Sequence, residues 1–114
     1  MKKIIVVVVG LFSLVVMQNC SSSKKLKAPP VVSFDKDVVP ILQARCTPCH
    51  FPPNGNKEPL NTYDAVKKNF ANVIMRVKLS PTDGKFMPWK GKKPALNDSL
   101  INVLAQWAVQ NMPK

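Results

Sequence analysis

Apolar residues fall along this chain in two kinds of pattern. Ile4 to Val16 is a continuous run with no polar face, whereas later apolar positions recur at helical spacing. Val38, Val39, Ile41 and Leu42, with Arg45, follow Asp35 and Asp37, whose charges suit a helix N-terminus. This helix is expected to run into Cys46, with Pro40 in or near its first turns or else kinking it. Tyr63, Val66, Phe70, Val73, Ile74 and Val77 form a second stripe, beginning at Asn61 or Thr62, with a break expected near Asn69 to Asn72. Met75 falls inside this stretch and is assigned to the core. Leu100, Ile101, Leu104, Trp107 and Ala108 recur at i, i+3, i+4 and i+7 behind Asn97 or Asp98 as cap, which predicts a last helix. Phe51 to Pro59 and Ser80 to Lys93 carry the prolines, glycines and asparagines of loops. Period-two alternation is absent from the chain after the leader. The prediction is an all-α domain of three to four helices.

The first apolar run sits behind Lys2 and Lys3 and is too short for a comfortable membrane span. A charged start and a short apolar core make a secretory signal peptide over residues 1–19. The competing reading, a buried strand around Val6 to Val9, has no partner strand nearby. The run ends at Cys20, followed by Ser21, Ser22 and Ser23, and this junction resembles the lipobox of bacterial lipoproteins. Met17, Gln18 and Asn19 depart from the Leu, small residue and Gly or Ala of that pattern. The expectation is lipidation of Cys20 and a membrane-anchored lipoprotein of the cell envelope, facing periplasm or exterior. Ordinary cleavage, with Cys20 left as a spare thiol, is the alternative. Residues 20–32 hold serines, Lys24, Lys25, Lys27, Pro29 and Pro30 without apolar periodicity, so they read as a disordered tether. Extended at about 3.3 Å per residue, it would reach ~40 Å from a lipid surface. The domain proper is expected over 33–114.

The 114 residues carry 17 Lys and Arg against 6 Asp and Glu, a net charge of +11. Only Lys2 and Lys3 of these lie in the leader, so the mature chain stays strongly basic. Its partners could be anionic lipid or an acidic protein, and export argues against nucleic acid. A domain of this size makes a modest core and generally needs a staple.

Cys46-Thr47-Pro48-Cys49-His50 supplies one. Cys-x-x-Cys-His is the attachment signal for c-type haem. Two thiols one helical turn apart can form thioethers to the two vinyl groups of the porphyrin, and the next side chain then falls under the iron as a nitrogen ligand. Three other readings compete. A structural disulfide between Cys46 and Cys49 is one. A thioredoxin-like pair would open a helix after a strand, whereas this motif ends a helix. A structural zinc wants four ligands, and the chain has one His and no second Cys pair. The single His also excludes ligation by two histidines from this chain. Of the methionines beyond the leader, Met112 lies past the last helix and Met75 within a helix. Met87 sits in the loop Gly84-Lys85-Phe86-Met87-Pro88-Trp89, where a thioether can reach an open haem face. Met87 is therefore the expected sixth ligand, with an open or Lys-ligated iron as the alternative.

From Val32 to Met112 the chain resembles a class I cytochrome c, most of all the short planctomycete-type domains of bacterial lipoproteins. The resemblance rests on Ser33-Phe34-Asp35-Lys36-Asp37-Val38-Val39-Pro40-Ile41-Leu42, Cys46-x-x-Cys49-His50, Tyr63-Asp64, Arg76-Val77, Met87-Pro88 and Leu104-Ala105-Gln106-Trp107. It departs at Trp89, where many relatives have a second Pro, and in its run of lysines. It implies a small cytochrome c fold around one covalent haem c, with terminal helices crossing beside it and His50 and Met87 on the iron. It further implies that the Pro59 carbonyl receives the free His50 nitrogen and that Leu60 packs on the haem. Tyr63, Arg76 and Trp89 would hydrogen-bond the propionates; core packing is the alternative for Tyr63 and Trp89, and a solvated helix face for Arg76.

Two axial ligands leave no position for substrate, so the expectation is a one-electron carrier rather than an enzyme. Lys85, Lys90, Lys92 and Lys93 flank the ligand loop. Either they steer an acidic redox protein to the haem edge, or they form a solvated loop. A haem-based gas or redox sensor with a displaceable Met87 is the rival function. A peroxidase would want a second haem or a distal acid–base group.

Overall fold

The computed structural model describes residues 28–114. The expected leader 1–19, Cys20 and the tether through residue 27 lie outside the described residues. Within 28–114 the domain is all-α, with three α-helices and no strand: α1, Val39–Cys46; α2, Tyr63–Val77; and α3, Asp98–Val109. A π-helical turn, Phe34–Val38, leads into α1, and a 3-10 turn, Trp89–Gly91, follows the second loop. Among the described residues no helix is long and apolar enough to cross a membrane.

Local chemistry sets each start. The Ser33 hydroxyl accepts from the Lys36 amide, while the Asp37 carboxylate accepts from the Ser33 amide at 2.7 Å. The exchange resembles a capping box widened by one residue. Pro40 stands in the first turn of α1, directly after the π-helical turn. Thr62 caps α2 through the Ala65 amide, and Asn97 caps α3 through the Leu100 amide.

Helix α2 runs unbroken through Asn69–Asn72, where a break was expected. Asn69 donates its side-chain amide back to the Ala65 carbonyl at 3.0 Å, so it does not compete for the helix's own backbone donors. Met75 is 47% exposed rather than part of the core. The buried stripe is Val66, Phe70 and Val77, and position 75 falls off it.

The core centres on Trp107, which is fully buried. Phe34, Tyr63 and Phe70 surround its ring at centroid distances of 5.6, 6.2 and 5.4 Å. Phe34 and Tyr63 meet edge to face at 5.3 Å. Such pairs add about 0.5–1.5 kcal/mol each beyond area burial. The C-terminal tail closes this cluster. The Pro113 carbonyl accepts from the Trp107 indole at 2.7 Å and from the Phe34 amide at 3.0 Å. The N-terminal turn and α2 thus both pack on α3.

The end of the segment read as tether is held rather than free. The Gln110 side-chain amide accepts from the Val32 amide at 2.8 Å and donates to the Pro30 carbonyl at 3.1 Å. One glutamine satisfies both an acceptor and a donor of that backbone, so order reaches back beyond Ser33.

Candidate functional site

Helix α1 ends at Cys46, where Thr47 turns extended, and the His50 amide closes the following turn by donating to the Cys46 carbonyl at 3.1 Å. Cys46 is half-buried and Cys49 exposed, both as free thiols. The segment 57–60 lies along the motif. Lys57 donates its amide to the Cys49 carbonyl at 3.0 Å, and Leu60 donates to the His50 carbonyl at 2.9 Å. Gly55 comes so close that a β-carbon there would overlap the carbonyls of Pro48 and Cys49. That approach requires glycine.

The His50 ring is oriented by the Glu58 carbonyl, 2.7 Å from Nδ1. A carbonyl can only accept, so Nδ1 carries a proton, and in the neutral ring Nε2 is the nitrogen with the lone pair. This corrects the expectation for Pro59. With the Leu60 amide turned to His50, the carbonyl two residues back faces the same edge, and the intervening Pro59 carbonyl faces away.

The motif forms one wall of a cavity of about 670 Å³, within the roughly 300–1,000 Å³ of a cofactor-sized site. Leu60, Val73, Val77, Met87 and Leu96 supply apolar lining. Arg45, Lys57, Arg76, Lys92 and Lys93 bring positive charge to it, against Glu58 alone. Cys46, Cys49, His50, Leu60, Arg76, Met87 and Trp89 therefore share one cavity. Tyr63 and Pro59 do not line it. Tyr63 begins α2 on the face that continues through Val66 and Phe70 to the core, and its hydroxyl donates to the Met112 carbonyl at 2.8 Å. The cavity face of α2 is instead Asn69, Asn72, Val73 and Arg76.

Met87 is half-buried, followed by buried Pro88. Its amide donates to the Arg76 carbonyl at 3.2 Å, which fixes the loop to the end of α2. Trp89 is 45% exposed at the cavity rim, with Lys90 Nζ 4.5 Å and Lys92 Nζ 5.4 Å from its ring centroid.

Burial pushes the Cys46 thiol up to about 11 from 9.0. A redox-active pair needs its attacking thiol stabilised as a thiolate, which the burial of Cys46 opposes at that residue. Among the described residues no three His, Cys, Asp or Glu side chains stand together as a bare-metal site would need.

Arg45, Gly55, Glu58 and Asn69 belong to the site without having been singled out in the sequence. Arg45 Nε is buried without a hydrogen-bond partner. An unpaired buried donor costs about 1–3 kcal/mol, so the wall favours an occupant or ordered water bearing an acceptor. Arg45 could have been suspected from its place beside Cys46, and Gly55 from its place in the loop after the motif. Glu58 and Asn69 carry no local signal. Comparison with protein-family models, curated proteins and solved structures finds no match.

Proposed function

We propose that the chain is a monohaem c-type cytochrome of class I type, carrying single electrons between redox partners in the bacterial cell envelope. The observation that carries this reading is the cavity itself. Three separate segments bring Cys46, Cys49 and His50, Leu60, and Met87 to one largely apolar space of cofactor size. The donor set fits haem: two thiols for its vinyl groups, an imidazole and a thioether for its iron.

When bound, haem would supply an iron that exchanges one electron between ferrous and ferric states. The chain's own residues do the rest. Cys46 and Cys49 hold the group covalently. His50, its ring fixed by Glu58, offers Nε2, and Met87 offers its sulfur from a loop pinned to α2. Leu60, Val73, Val77 and Leu96 exclude water and favour the less charged ferrous state. Arg76 and Trp89, both lining the cavity, are the candidates for the propionates. The basic rim suits an acidic protein partner. A lipid on Cys20 would keep the domain at a membrane, and conversion of Cys20 to Ser should then release the protein or leave it unprocessed.

The deciding experiment is a haem stain on a denaturing gel. Protein exported by cells able to attach haem should stain covalently. Cys46→Ala and Cys49→Ala should each weaken or abolish the stain. Retention of covalent stain in the double variant would overturn the assignment.

A further inference from the structure

Three hydrogen bonds join the segment 57–60 to the motif, and two of them, from the Lys57 and Leu60 amides, pin the backbone on either side of Glu58. Glu58 is an exposed loop residue. Its side chain adds an anchor to a third element, helix α2. The Glu58 carboxylate accepts from Asn69 Nδ2 on α2 at 3.0 Å, while its backbone carbonyl accepts from His50 Nδ1 at 2.7 Å. Asn69 Nδ2 also donates to the Ala65 carbonyl at 3.0 Å. Both partners of that nitrogen are acceptors, so the amide has one orientation.

We propose that Asn69 is a positioning residue that acts through Glu58 to fix the ring of His50. The chain of contacts runs from the rigid middle of α2, through a loop side chain, to the carbonyl that holds the imidazole. One residue thereby grips both the helix and the ligand. Loss of the Asn69 bond frees the Glu58 side chain and leaves its carbonyl held only by the backbone bonds of Lys57 and Leu60 on either side. The His50 Nδ1–H bond weakens, and the ring gains freedom to rotate about the axis of its metal bond. Outer partners of metal-bound histidines tune their ligands in this way, with effects of roughly 10- to 100-fold on affinity or activity when removed. Asn69 lines the cavity and is half-buried, so its role is local and does not require the aromatic core around Trp107.

The inference rests on His50 being the haem ligand, and its test separates the two. The full chain is exported with haem attached, as wild type and as Asn69→Ala, Glu58→Ala, Glu58→Gln and the Asn69→Ala/Glu58→Ala pair. Covalent haem stain is read first. NMR of the ferric protein then gives the exchange rate of the His50 Nδ1 proton and the hyperfine shifts of the haem methyl groups, which follow the angle of the axial ring. Asn69→Ala and Glu58→Ala should each speed that exchange roughly three- to tenfold, the factor set by one ordinary hydrogen bond. Both should move the methyl shifts in the same direction, and the pair should do no more than either alone. Glu58→Gln keeps an acceptor for Asn69 and should behave as wild type. Because Glu58 is exposed, its variants test the same bond without burdening the fold. Stained protein in which exchange and methyl shifts stay unchanged would overturn the positioning role, as would single effects that simply add in the pair. Absence of covalent haem from wild type would overturn the parent reading and this one with it.

Discussion

The Met87 amide donates to the Arg76 carbonyl at 3.2 Å, joining the loop after α2 to the last turn of that helix. Both residues line the cavity. Arg76 thus ties down the Met87 loop through its backbone and lines the same cavity. Met75, one residue before it, is exposed and cannot substitute for Met87 from that face of the helix.

Met87→Ala should therefore abolish the weak far-red absorption that a thioether bond to ferric haem iron produces, while Met75→Ala keeps it. The variant should bind carbon monoxide readily in the ferrous state and have a lower reduction potential, because a soft ligand that favours ferrous iron is gone. Covalent haem should remain. If wild type itself lacks the band and binds carbon monoxide avidly, the sensor reading replaces the electron carrier.

Gly55 and Gly84 offer a controlled comparison. A β-carbon at Gly55 would strike the backbone carbonyls of Pro48 and Cys49, whereas one at Gly84 would meet open space. Backbone cannot step aside as a flexible side chain can. Gly55→Ala should destabilise the protein by about 1–3 kcal/mol, the range of an overpacked site, and lower the yield of covalent haem. Gly84→Ala should be neutral or stabilising by up to about 1 kcal/mol through the unfolded chain. Urea unfolding measures both, and equal effects would contradict the packing described.

The helices and the motif could be read from the sequence because their causes are local. Apolar spacing, Asp35 and Asp37 at the first helix, Asn97 as cap of the last, and Cys46 to His50 as a contiguous signal all act within a few residues. What could not be read depends on pairs distant in the chain. Tyr63 is drawn from the cavity by Phe34, Trp107 and the Met112 carbonyl, which join it only after α3 packs. Glu58 displaces Pro59 because adjacent carbonyls in an extended segment face opposite edges, and which edge meets His50 is settled by the Leu60 amide. Gln110 holds Pro30 and Val32 across nearly the whole domain, so composition alone made that segment look free.

The Cys46 thiol gives the haem-free chain a defined response to alkali. Its value of about 11 in the fold stands above the 9.0 of an exposed thiol because burial disfavours the thiolate. Between those values the unfolded chain has released the proton and the folded chain has not. The unfolded state therefore binds fewer protons, and stability falls as pH rises from about 9 to about 11, by at most about 1.4 kcal/mol per pH unit. Below about pH 9 this residue contributes no slope. Urea unfolding of reduced, haem-free protein against its Cys46→Ala variant isolates the effect, since every other side chain is common to both. In haem-loaded protein the sulfur is a thioether and the difference should vanish. An unchanged slope in haem-free Cys46→Ala would show that the thiol is not buried as described.

The last prediction concerns the rim. Lys90 and Lys92 place their ammonium groups over the Trp89 ring, and Lys92 and Lys93 line the cavity mouth with Arg45 and Arg76. Such contacts, worth about 0.5–1 kcal/mol at exposed sites, hold cations beside the place where an electron would leave. If the rim steers partners, oxidation of the ferrous protein by ferricyanide, a trianion, should slow several-fold as ionic strength rises from about 10 to about 150 mM, because the Debye length contracts from about 30 to about 8 Å. Replacing Lys85, Lys90, Lys92 and Lys93 together by Glu should reverse the sign of that salt dependence. A cationic cobalt complex should show the opposite trend in both proteins. Trp89→Ala should weaken the effect by releasing Lys90 and Lys92 from the rim while leaving covalent haem intact. Should the charge-reversed protein react with ferricyanide at the wild-type rate and with the same salt dependence, the lysines form a solvated loop and the docking face lies elsewhere.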